Sequence, residues 1–209
     1  KEVGKPIILI PSPEGGKKSY ADHFFAQFEE VFEAMGLEPE VVRSYEELYK
    51  SGRMNDHIET ALQNTAKIKA ILESKSNRDL SEEWTSVLVL NAQERFEKGD
   101  INTWDKQAQT INGRSYINGG AKLDWRVDWP ARWAELGVQV EPFGAQEHGA
   151  AGGSYDTGSQ IAQEVFKVDP PYDTVSYGHI HSPAENIKMS STKGNVDTPQ
   201  EALAIMQQQ

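Results

Sequence analysis

The sequence predicts an α/β fold in which helices pack against a parallel β-sheet, because segments typical of strands and of helices alternate along the chain. A short apolar run at residues 6–10 is followed by a helical repeat of large apolar residues. A second alternation of this kind extends from Trp125 to Ile180. Between these parts, residues 74–120 have weak periodicity, and we expect an irregular insertion there.

The first predicted elements are a strand and a helix. Residues 6–10 form a continuous apolar run that ends in a loop rich in proline and glycine, as expected for a buried strand. Ser19 and Asp22 have the spacing of a capping box, and Gly36 ends the helix that they begin. An apolar stripe predicts the core face of this helix: Phe24, Phe25, Phe28, Val31, Phe32 and Met35.

The middle of the chain predicts shorter elements. Residues 40–43 have the composition of a strand, and Ser44 with Glu47 predicts a short capped helix. Apolar residues at helical spacing predict one long helix from Ile58 to Leu72. Residues 86–90 predict a strand, and a hairpin could turn at 111–113 or at 118–120.

The last part of the chain returns to regular alternation. Pro130 is suited to the first position of a helix that Gly137 ends, and a strand is predicted at 138–143. The glycine-rich stretch 144–158 leads into another helix. We also expect a strand at 173–180, a final helix from Thr198, and three divisions of the chain: 1–73, 74–120 and 121–209.

Composition and charge exclude several classes of protein. The chain has 32 acidic and 21 basic residues, a net charge of -11, so its whole surface cannot attract nucleic acid nonspecifically. It has no cysteine, which excludes disulfides, thiolate zinc sites and cysteine nucleophiles. No apolar run is long enough to cross a membrane. We therefore expect a cytoplasmic protein with no membrane partner. Because the chain opens with Lys1, we also expect it to be a piece of a longer one.

Residues 188–195 form the segment with the clearest chemistry. Two lysines flank three hydroxyl residues, a glycine follows, and no acid occurs between Ile187 and Val196. Ammonium groups, hydroxyls and closely approaching backbone N–H groups suit a polyphosphate. A plain surface loop is the alternative interpretation of such a segment. A different candidate is the pair His179 and His181, which would share one strand face but has no evident third metal ligand.

Several motifs in one order resemble class I lysyl-tRNA synthetases of the archaeal type. Residues 188–192 (KMSST) are similar to the KMSKS signature of class I synthetases. Residues 125–134 (WRVDWPARWA), 152–158 (GGSYDTG) and 141–144 (EPFG) with His148 resemble other parts of the same family. The HIGH motif and an anticodon-binding region have no counterpart, which implies an internal fragment of the catalytic domain. The zinc-binding cysteines that often occur in this family are also missing, and we expect no zinc.

The resemblance implies a fold and an activity. The fold is a Rossmann-like class I synthetase catalytic core, with an incomplete parallel sheet and an inserted connective region. The activity is that of a lysine–tRNA ligase, which uses ATP and Mg²⁺ to form lysyl-adenylate from lysine and then acylates tRNA(Lys). The isolated piece is expected to be inactive. The alternatives are a non-catalytic paralogue or truncated module that binds nucleotide or lysine, and a different nucleotidyl-transferring enzyme.

The resemblance also assigns residues to sites. Trp129, His148 and Tyr177 are candidates for the lysine pocket, with Asp156 orienting the glycine-rich turn. At least one of the tryptophans 125, 129 and 133 is expected to be purely structural. Local tRNA contact is expected from residues 104–133, which have five basic and three acidic residues. The candidates for catalysis on the β- and γ-phosphates are Lys188, Ser190, Ser191 and Lys193, and Met189 and Thr192 complete the ATP-binding segment.

Overall fold

A computed structural model of the chain describes residues 2–16, 18–181, 187–190 and 193–206. The chain divides into two compact units, one formed by residues 1–41 and 179–209 and the other by residues 42–178. The helices of the first unit are α1 (Tyr20–Ala34) and α6 (Pro199–Met206). Those of the second are α2 (Asn55–Gln63), α3 (Thr65–Ser76), α4 (Trp125–Leu136) and α5 (Ser154–Ile161).

The first unit confirms the predicted starts of its two helices. The Asp22 N–H donates to Ser19 Oγ at 3.1 Å, and the Ser19 N–H donates to the Asp22 carboxylate at 3.2 Å, which completes the capping box of α1. Thr198 and Glu201 make the same reciprocal pair at the start of α6, at 2.7 and 3.2 Å. Each pair satisfies donors that a helix start leaves without intrahelical partners.

Two predictions for the first unit are wrong. The predicted strand at 6–10 contains a 3₁₀ turn, Ile7–Leu9, in which the Leu9 N–H bonds locally to the Pro6 carbonyl at 2.9 Å instead of to a neighbouring strand. The aromatic stripe of α1 is not a core face either. Phe24 is 43% exposed and Phe28 is 48% exposed, and Val31 is the buried residue of this helix.

The helices of the second unit differ from the predicted pattern at their joins. The single long helix predicted from Ile58 to Leu72 is two helices, α2 and α3, because Asn64 leaves helical geometry at φ -112°, ψ 16° and its side chain bonds to the Thr60 carbonyl at 2.8 Å. The predicted short helix is a π-helical segment, Ser44–Lys50, with Leu48 and Tyr49 buried. Residues 40–43 do not form the predicted strand.

Helix α4 begins earlier than predicted. Asp124 caps it by accepting the Arg126 N–H at 3.2 Å, so Pro130 lies inside the helix and not at its first position. Proline is tolerated here at the loss of one hydrogen bond, the one that its missing N–H would have made to the Arg126 carbonyl. Gly137 ends the helix at φ +62°, as predicted.

Residues 87–123 form two small antiparallel sheets. The first has the order β2 (Phe96–Lys98), β1 (Val87–Leu90) and β5 (Ala121–Leu123). The second is the hairpin of β3 (Thr110–Ile111) and β4 (Arg114–Ser115), which confirms the turn at 111–113. Asn112 and Gly113 both have positive φ, 52° and 69°, as a two-residue hairpin turn requires.

One parallel pair of strands occurs in the part of the chain that the structure describes. It consists of β6 (Val140–Gly144) and β7 (Asp173–Tyr177), paired from Val140 opposite Asp173 to Gly144 opposite Tyr177. These strands confirm the predictions at 138–143 and 173–180 within a few residues. The architecture is mixed α/β with small sheets, and the larger parallel sheet that was predicted is not seen among the described residues.

The core of the second unit joins its helices to the antiparallel strands. Side chains that are 2% exposed or less come from α2, α3, β1, β5, α4 and α5, and they form one cluster that includes Ile58, Leu62, Ile68, Leu72, Val87, Val89, Leu123, Val127 and Ile161. This cluster fixes α4 and α5, the two helices that carry most of the candidate site. No helix among the described residues is long and apolar enough to span a membrane.

Candidate active site

The candidate site lies at the carboxyl edge of the parallel strands β6 and β7. Gly144 pairs with Tyr177 at this edge, and the Ala145 N–H extends the ladder by donating to the Tyr177 carbonyl at 2.8 Å. The chain then turns, and the His148 N–H donates to the Gly144 carbonyl at 3.0 Å. The register therefore places Tyr177 and His148, two predicted lysine-pocket residues, beside the same end of the sheet. This is the edge at which open α/β sheets bind ligands.

Trp129 of α4 joins this edge through ring contacts. Its indole centroid lies 5.6 Å from the His148 ring and 6.2 Å from the Phe143 ring, both in edge-to-face arrangements. Tyr155 of α5 completes the cluster, 6.4 Å from Trp129 and 4.9 Å from Phe143. Trp129, His148 and Tyr155 are half-buried, so the cluster has both a packed side and an accessible side.

Trp133 is the most buried of the three tryptophans of α4. It is 2% exposed, and its Nε1–H donates to the Glu141 carboxylate at 2.6 Å. Its ring also packs against Gly158, where a Cβ would lie 3.1 Å from the indole. These are packing contacts, and the purely structural role expected for at least one of the three tryptophans stays a prediction.

Residues of the glycine-rich turn contact both the ring and the backbone carbonyl of His148. The His148 Nδ1 atom lies 2.6 Å from Ser154 Oγ, and the His148 carbonyl accepts the Tyr155 N–H at 3.1 Å. Gly152 has φ +73°, and a Cβ there would lie 2.2 Å from the Lys75 carbonyl oxygen at the end of α3. Only glycine permits both this backbone conformation and this close approach. The turn therefore positions the imidazole through α3 and α5.

Asp156 is engaged by the turn itself. Its carboxylate accepts the Gly152 N–H at 3.0 Å and the Lys75 ammonium at 2.9 Å. The Lys75 hydrogen bond, followed by the Gly152 N–H, holds the pKa of Asp156 below its usual value. This geometry supports the predicted role of orienting the turn, and it shows the carboxylate already occupied by a protein ammonium group.

A carboxylate that the sequence analysis did not single out also lies at this edge. A Cβ built on Gly144 would lie 2.9 Å from Glu147 Oε2 and 4.0 Å from the Tyr177 ring. The side chains of Glu147 and Tyr177 thus approach the same glycine from two elements. No short-range pattern points to Glu147, because the relationship depends on the β6–β7 register.

The KMS segment, residues 188–190, belongs to the first unit and is braced by its neighbours in that unit. The Met189 N–H donates to the Ile180 carbonyl at 2.8 Å, and Lys188 pairs with His181 as an isolated antiparallel bridge. Asn195 Oδ1 accepts the Ser190 N–H at 2.9 Å, and the Asn195 amide donates to the Lys188 carbonyl at 3.2 Å. The backbone conformation of the segment is thus defined on both sides.

The lysine of the KMS segment and the nearby Lys193 present positive charge at the surface. Lys188 and Lys193 are exposed and Ser190 is half-buried. The Lys193 N–H donates to the Ser190 carbonyl at 3.0 Å. The predicted residues Ser191 and Thr192 lie outside the described residues.

The histidine pair forms a different contact from the metal pair that its spacing suggested. His179 Nε2 lies 2.8 Å from Lys188 Nζ, so this ring nitrogen faces an ammonium group. Among the described residues, no group of three or more His, Asp or Glu side chains could hold a metal ion.

A family model described as class I tRNA synthetases (K) matches residues 1–209. The chain therefore belongs to this family of class I tRNA synthetases. Its motifs and the sheet-edge site described above occur within that match.

Individual relatives are similar over most of the chain. A lysine–tRNA ligase of Methanosarcina barkeri is 41% identical over 84% of this chain and 34% of its own length. Those of Archaeoglobus fulgidus and Pyrococcus furiosus are 37% and 38% identical over 98% and 93% of this chain, and over 42% and 39% of their own lengths. The chain thus spans between a third and a half of the length of these curated relatives.

Proposed function

We propose that this chain is part of a lysine–tRNA ligase, which activates lysine with ATP and transfers it to tRNA(Lys). The observation that carries the proposal is that a chain in the class I synthetase family holds Trp129 against His148 at the strand end that Tyr177 also reaches. The relatives described above are lysine–tRNA ligases, which specifies lysine as the amino acid. We assign the enzymatic activity to a protein of the length of these relatives, of which this chain would form a part.

Lysine recognition requires apolar walls for a four-carbon stem and an acceptor for its ammonium group. We assign one wall to Trp129, since aromatic faces also attract a cation, and we keep Tyr177, at the same strand end, as a further lysine-binding candidate. Glu147, close to Tyr177 across Gly144, supplies a carboxylate at one end. A carboxylate at fixed distance rejects shorter or uncharged side chains, because they leave it without its charged partner. His148, whose ring nitrogen contacts Ser154, packs edge-to-face against Trp129 and so helps to fix the position of that wall.

The described residues of the phosphate segment fit a triphosphate. Lys188 and Lys193 provide two exposed positive charges, Ser190 provides a hydroxyl donor, and Gly194 takes the positive φ of +66° that a close backbone approach favours. We assign Ser191, Met189 and Thr192 to the same ATP contact. Mg²⁺ would arrive with the phosphates of ATP and neutralise part of their charge.

The chemical steps place different demands on the two units. A lysine carboxylate oxygen forms a bond to the α-phosphorus of ATP, and the bond to the pyrophosphate oxygen breaks. Lys188 and Lys193 would stabilise the negative charge that grows on the leaving pyrophosphate. The lysine pocket would hold the amino acid in line for attack, which contributes by orientation. A ribose hydroxyl of the tRNA then attacks the carbonyl carbon, and AMP leaves.

The finer predictions about the fold follow from this assignment. We propose that β6 and β7 are part of the Rossmann-like catalytic core of a class I synthetase. We keep the boundaries 1–73, 74–120 and 121–209 as a proposed division, and a cytoplasmic location because tRNA charging serves translation. Within this division, β5 pairs with β1, so the proposed insertion shares a sheet with the segment that follows it.

Pyrophosphate exchange tests the proposal directly. The complete protein is incubated with ATP, Mg²⁺ and labelled pyrophosphate, with each amino acid in turn. We expect exchange with lysine alone, and aminoacylation of tRNA(Lys) with the same protein. Exchange with another amino acid would contradict the substrate. Lysine binding without exchange, measured by tryptophan fluorescence, would favour a non-catalytic module.

A further inference from the structure

Ser154 is a buried hydroxyl residue at the start of α5. It is 1% exposed, and its Oγ atom lies 2.6 Å from His148 Nδ1. Serine side chains near a helix start commonly bond to the free backbone groups of that end. The start of α5 has Gly153 as its N-cap and no side-chain cap. Among the described residues, the partner of the Ser154 hydroxyl is the imidazole of His148.

The first turn of α5 holds Ser154 in a fixed position. Thr157 is fully buried and donates its hydroxyl to the Gly153 carbonyl at 3.0 Å. A Cβ on Gly153 would lie 2.5 Å from the His148 carbonyl oxygen, which also accepts the Tyr155 N–H at 3.1 Å. The helix start and the turn that contains His148 are therefore packed backbone against backbone. This packing sets the distance between Ser154 Oγ and His148 Nδ1.

Aromatic contacts fix the plane of the His148 ring but not the position of its hydrogen. Trp125 and Trp129 lie 6.4 and 5.6 Å from the imidazole centroid, both edge-to-face. In a neutral imidazole one nitrogen carries the hydrogen and the other is an acceptor. The hydrogen bond that one nitrogen makes decides the role of the other. The contact of Ser154 with Nδ1 thus decides what Nε2 can bind.

Burial determines the direction of this hydrogen bond. The described chain offers the Ser154 hydroxyl no acceptor other than His148 Nδ1, and a buried donor without an acceptor is unfavourable. The hydroxyl therefore donates and Nδ1 accepts, which places the ring hydrogen on Nε2. No described residue forms a hydrogen bond with Nε2, and the ring is only half-buried. Nε2–H is thus a donor that a ligand could satisfy.

We propose that Ser154 is a positioning residue, which holds His148 in the tautomer whose Nε2–H binds a carboxylate oxygen of lysine. The ammonium groups of lysine cannot accept a hydrogen bond, so an N–H donor selects the carboxylate end. This donor complements Glu147, which we assign to the side-chain ammonium group. The assignment rests on the proposed function and adds the group that recognises the opposite end of the substrate.

A substrate analogue separates this role from packing. Ser154→Ala is made in the complete protein, and its Michaelis constant for lysine in pyrophosphate exchange is compared with the inhibition constant of cadaverine, which is lysine without its carboxyl group. We expect the lysine constant to rise about tenfold, while the constants for cadaverine and ATP change less than about twofold. A residue that only supports the shape of the pocket would affect lysine and cadaverine equally.

A second serine of α5 provides the matched control. The Ser159 hydroxyl donates to the Tyr155 carbonyl at 2.7 Å, within the helix. Ser159→Ala therefore removes a hydroxyl from the same helix without removing a contact to His148. We expect its lysine constant to stay within about twofold of the wild-type value.

A double-mutant cycle tests whether Ser154 acts through His148. His148→Gln replaces the imidazole by an amide, whose N–H donor does not depend on a tautomer. In this background we expect Ser154→Ala to change the lysine constant less than about twofold, against about tenfold in the wild type. The cycle uses lysine alone, so it does not depend on the affinity of cadaverine.

Three outcomes would overturn the inference. They are an unchanged lysine constant in Ser154→Ala, an equal loss for lysine and cadaverine, and an undiminished effect of Ser154→Ala in the His148→Gln background. A wild-type protein that shows no lysine-dependent exchange contradicts the proposed function itself. The two failures are thus distinguishable.

Discussion

The hydroxyl group of Tyr49 donates a hydrogen bond to the carboxylate of Asp128, the residue that precedes Trp129 in α4. The same hydroxyl oxygen accepts the Leu123 N–H at 3.2 Å, and Asp128 also pairs with Arg132 at 2.9 Å. Burial, followed by the charge of Asp128, raises the pKa of Tyr49 well above its usual value. A buried phenol thus ties the π-helical segment 44–50 to the helix that carries the proposed lysine wall.

Replacing this phenol should destabilise the protein. Tyr49→Phe leaves the buried Leu123 N–H without its acceptor and Asp128 without its donor, which we expect to cost about 1–3 kcal/mol in urea denaturation. Tyr45→Phe is the matched control, because the Tyr45 hydroxyl makes a longer bond of 3.4 Å to the Gly119 carbonyl and is only half-buried. Equal losses in the two variants would argue against a special role for the Tyr49 bond.

Two glycines with similar backbone angles should respond differently to alanine. Gly152→Ala combines a φ of +73° with a Cβ that would lie 2.2 Å from the Lys75 carbonyl, and we expect a loss of at least about 3 kcal/mol. Gly137→Ala has φ +62° but no atom within 4 Å, so only the backbone term of about 1 kcal/mol remains. The free energies of unfolding of both variants check this, and a similar cost at the two positions would contradict the close packing of the glycine turn.

Local chemistry explains which parts of the fold could be predicted from the sequence. The capping box at Ser19 and the hairpin at Asn112 depend on residues within three positions of one another, and both predictions are confirmed. The run 6–10 and the α1 stripe required knowledge of what packs against them. An apolar pattern reports only what a segment could bury, so Ile7, at 60% exposure, and Phe28 were placed wrongly.

The candidate site shows the same difference between features set by neighbouring residues and features set by long-range packing. The resemblance to the synthetase family assigned Trp129, His148 and Tyr177 to one lysine pocket, and these roles stay predictions. Glu147 was missed because the β6–β7 register brings it beside Tyr177.

The Lys75–Asp156 pair should make stability depend on acid pH. The pKa of Asp156 is lowered on folding, so the pair contributes stability above the unfolded carboxyl pKa near 3.9, and the contribution is lost as the pH falls through the lower folded value. Both side chains are more than a third exposed, which limits the expected cost of Lys75→Met at pH 7 to about 0.5 kcal/mol after solvent screening. Urea denaturation from pH 7 to pH 3 should show the two proteins converging at the acid end. A constant difference would exclude this titration as the cause.

Substitutions in the two units should separate lysine binding from phosphate chemistry. In the complete protein, Trp129→Ala should raise the Michaelis constant for lysine in pyrophosphate exchange about tenfold or more, with a smaller change for ATP, because an aromatic wall is lost. Trp104→Ala, which removes a partly buried tryptophan packed on the core cluster, controls for general loss of packing. Equal losses for lysine and ATP in Trp129→Ala would indicate a packing role instead.

The contact between His179 and Lys188 should matter for the phosphate step. Lys188→Ala removes a charge that we assign to the leaving pyrophosphate, and we expect the exchange rate constant to fall by about two orders of magnitude with little change in lysine affinity. His179→Ala keeps that charge but removes the ring nitrogen 2.8 Å from Lys188 Nζ, so a smaller fall of about three- to tenfold is expected. His179→Gln, which can still accept a hydrogen bond from the ammonium group, should recover part of the rate. If His179→Ala equals the wild type in exchange while Lys188→Ala does not, the histidine has no part in positioning the lysine.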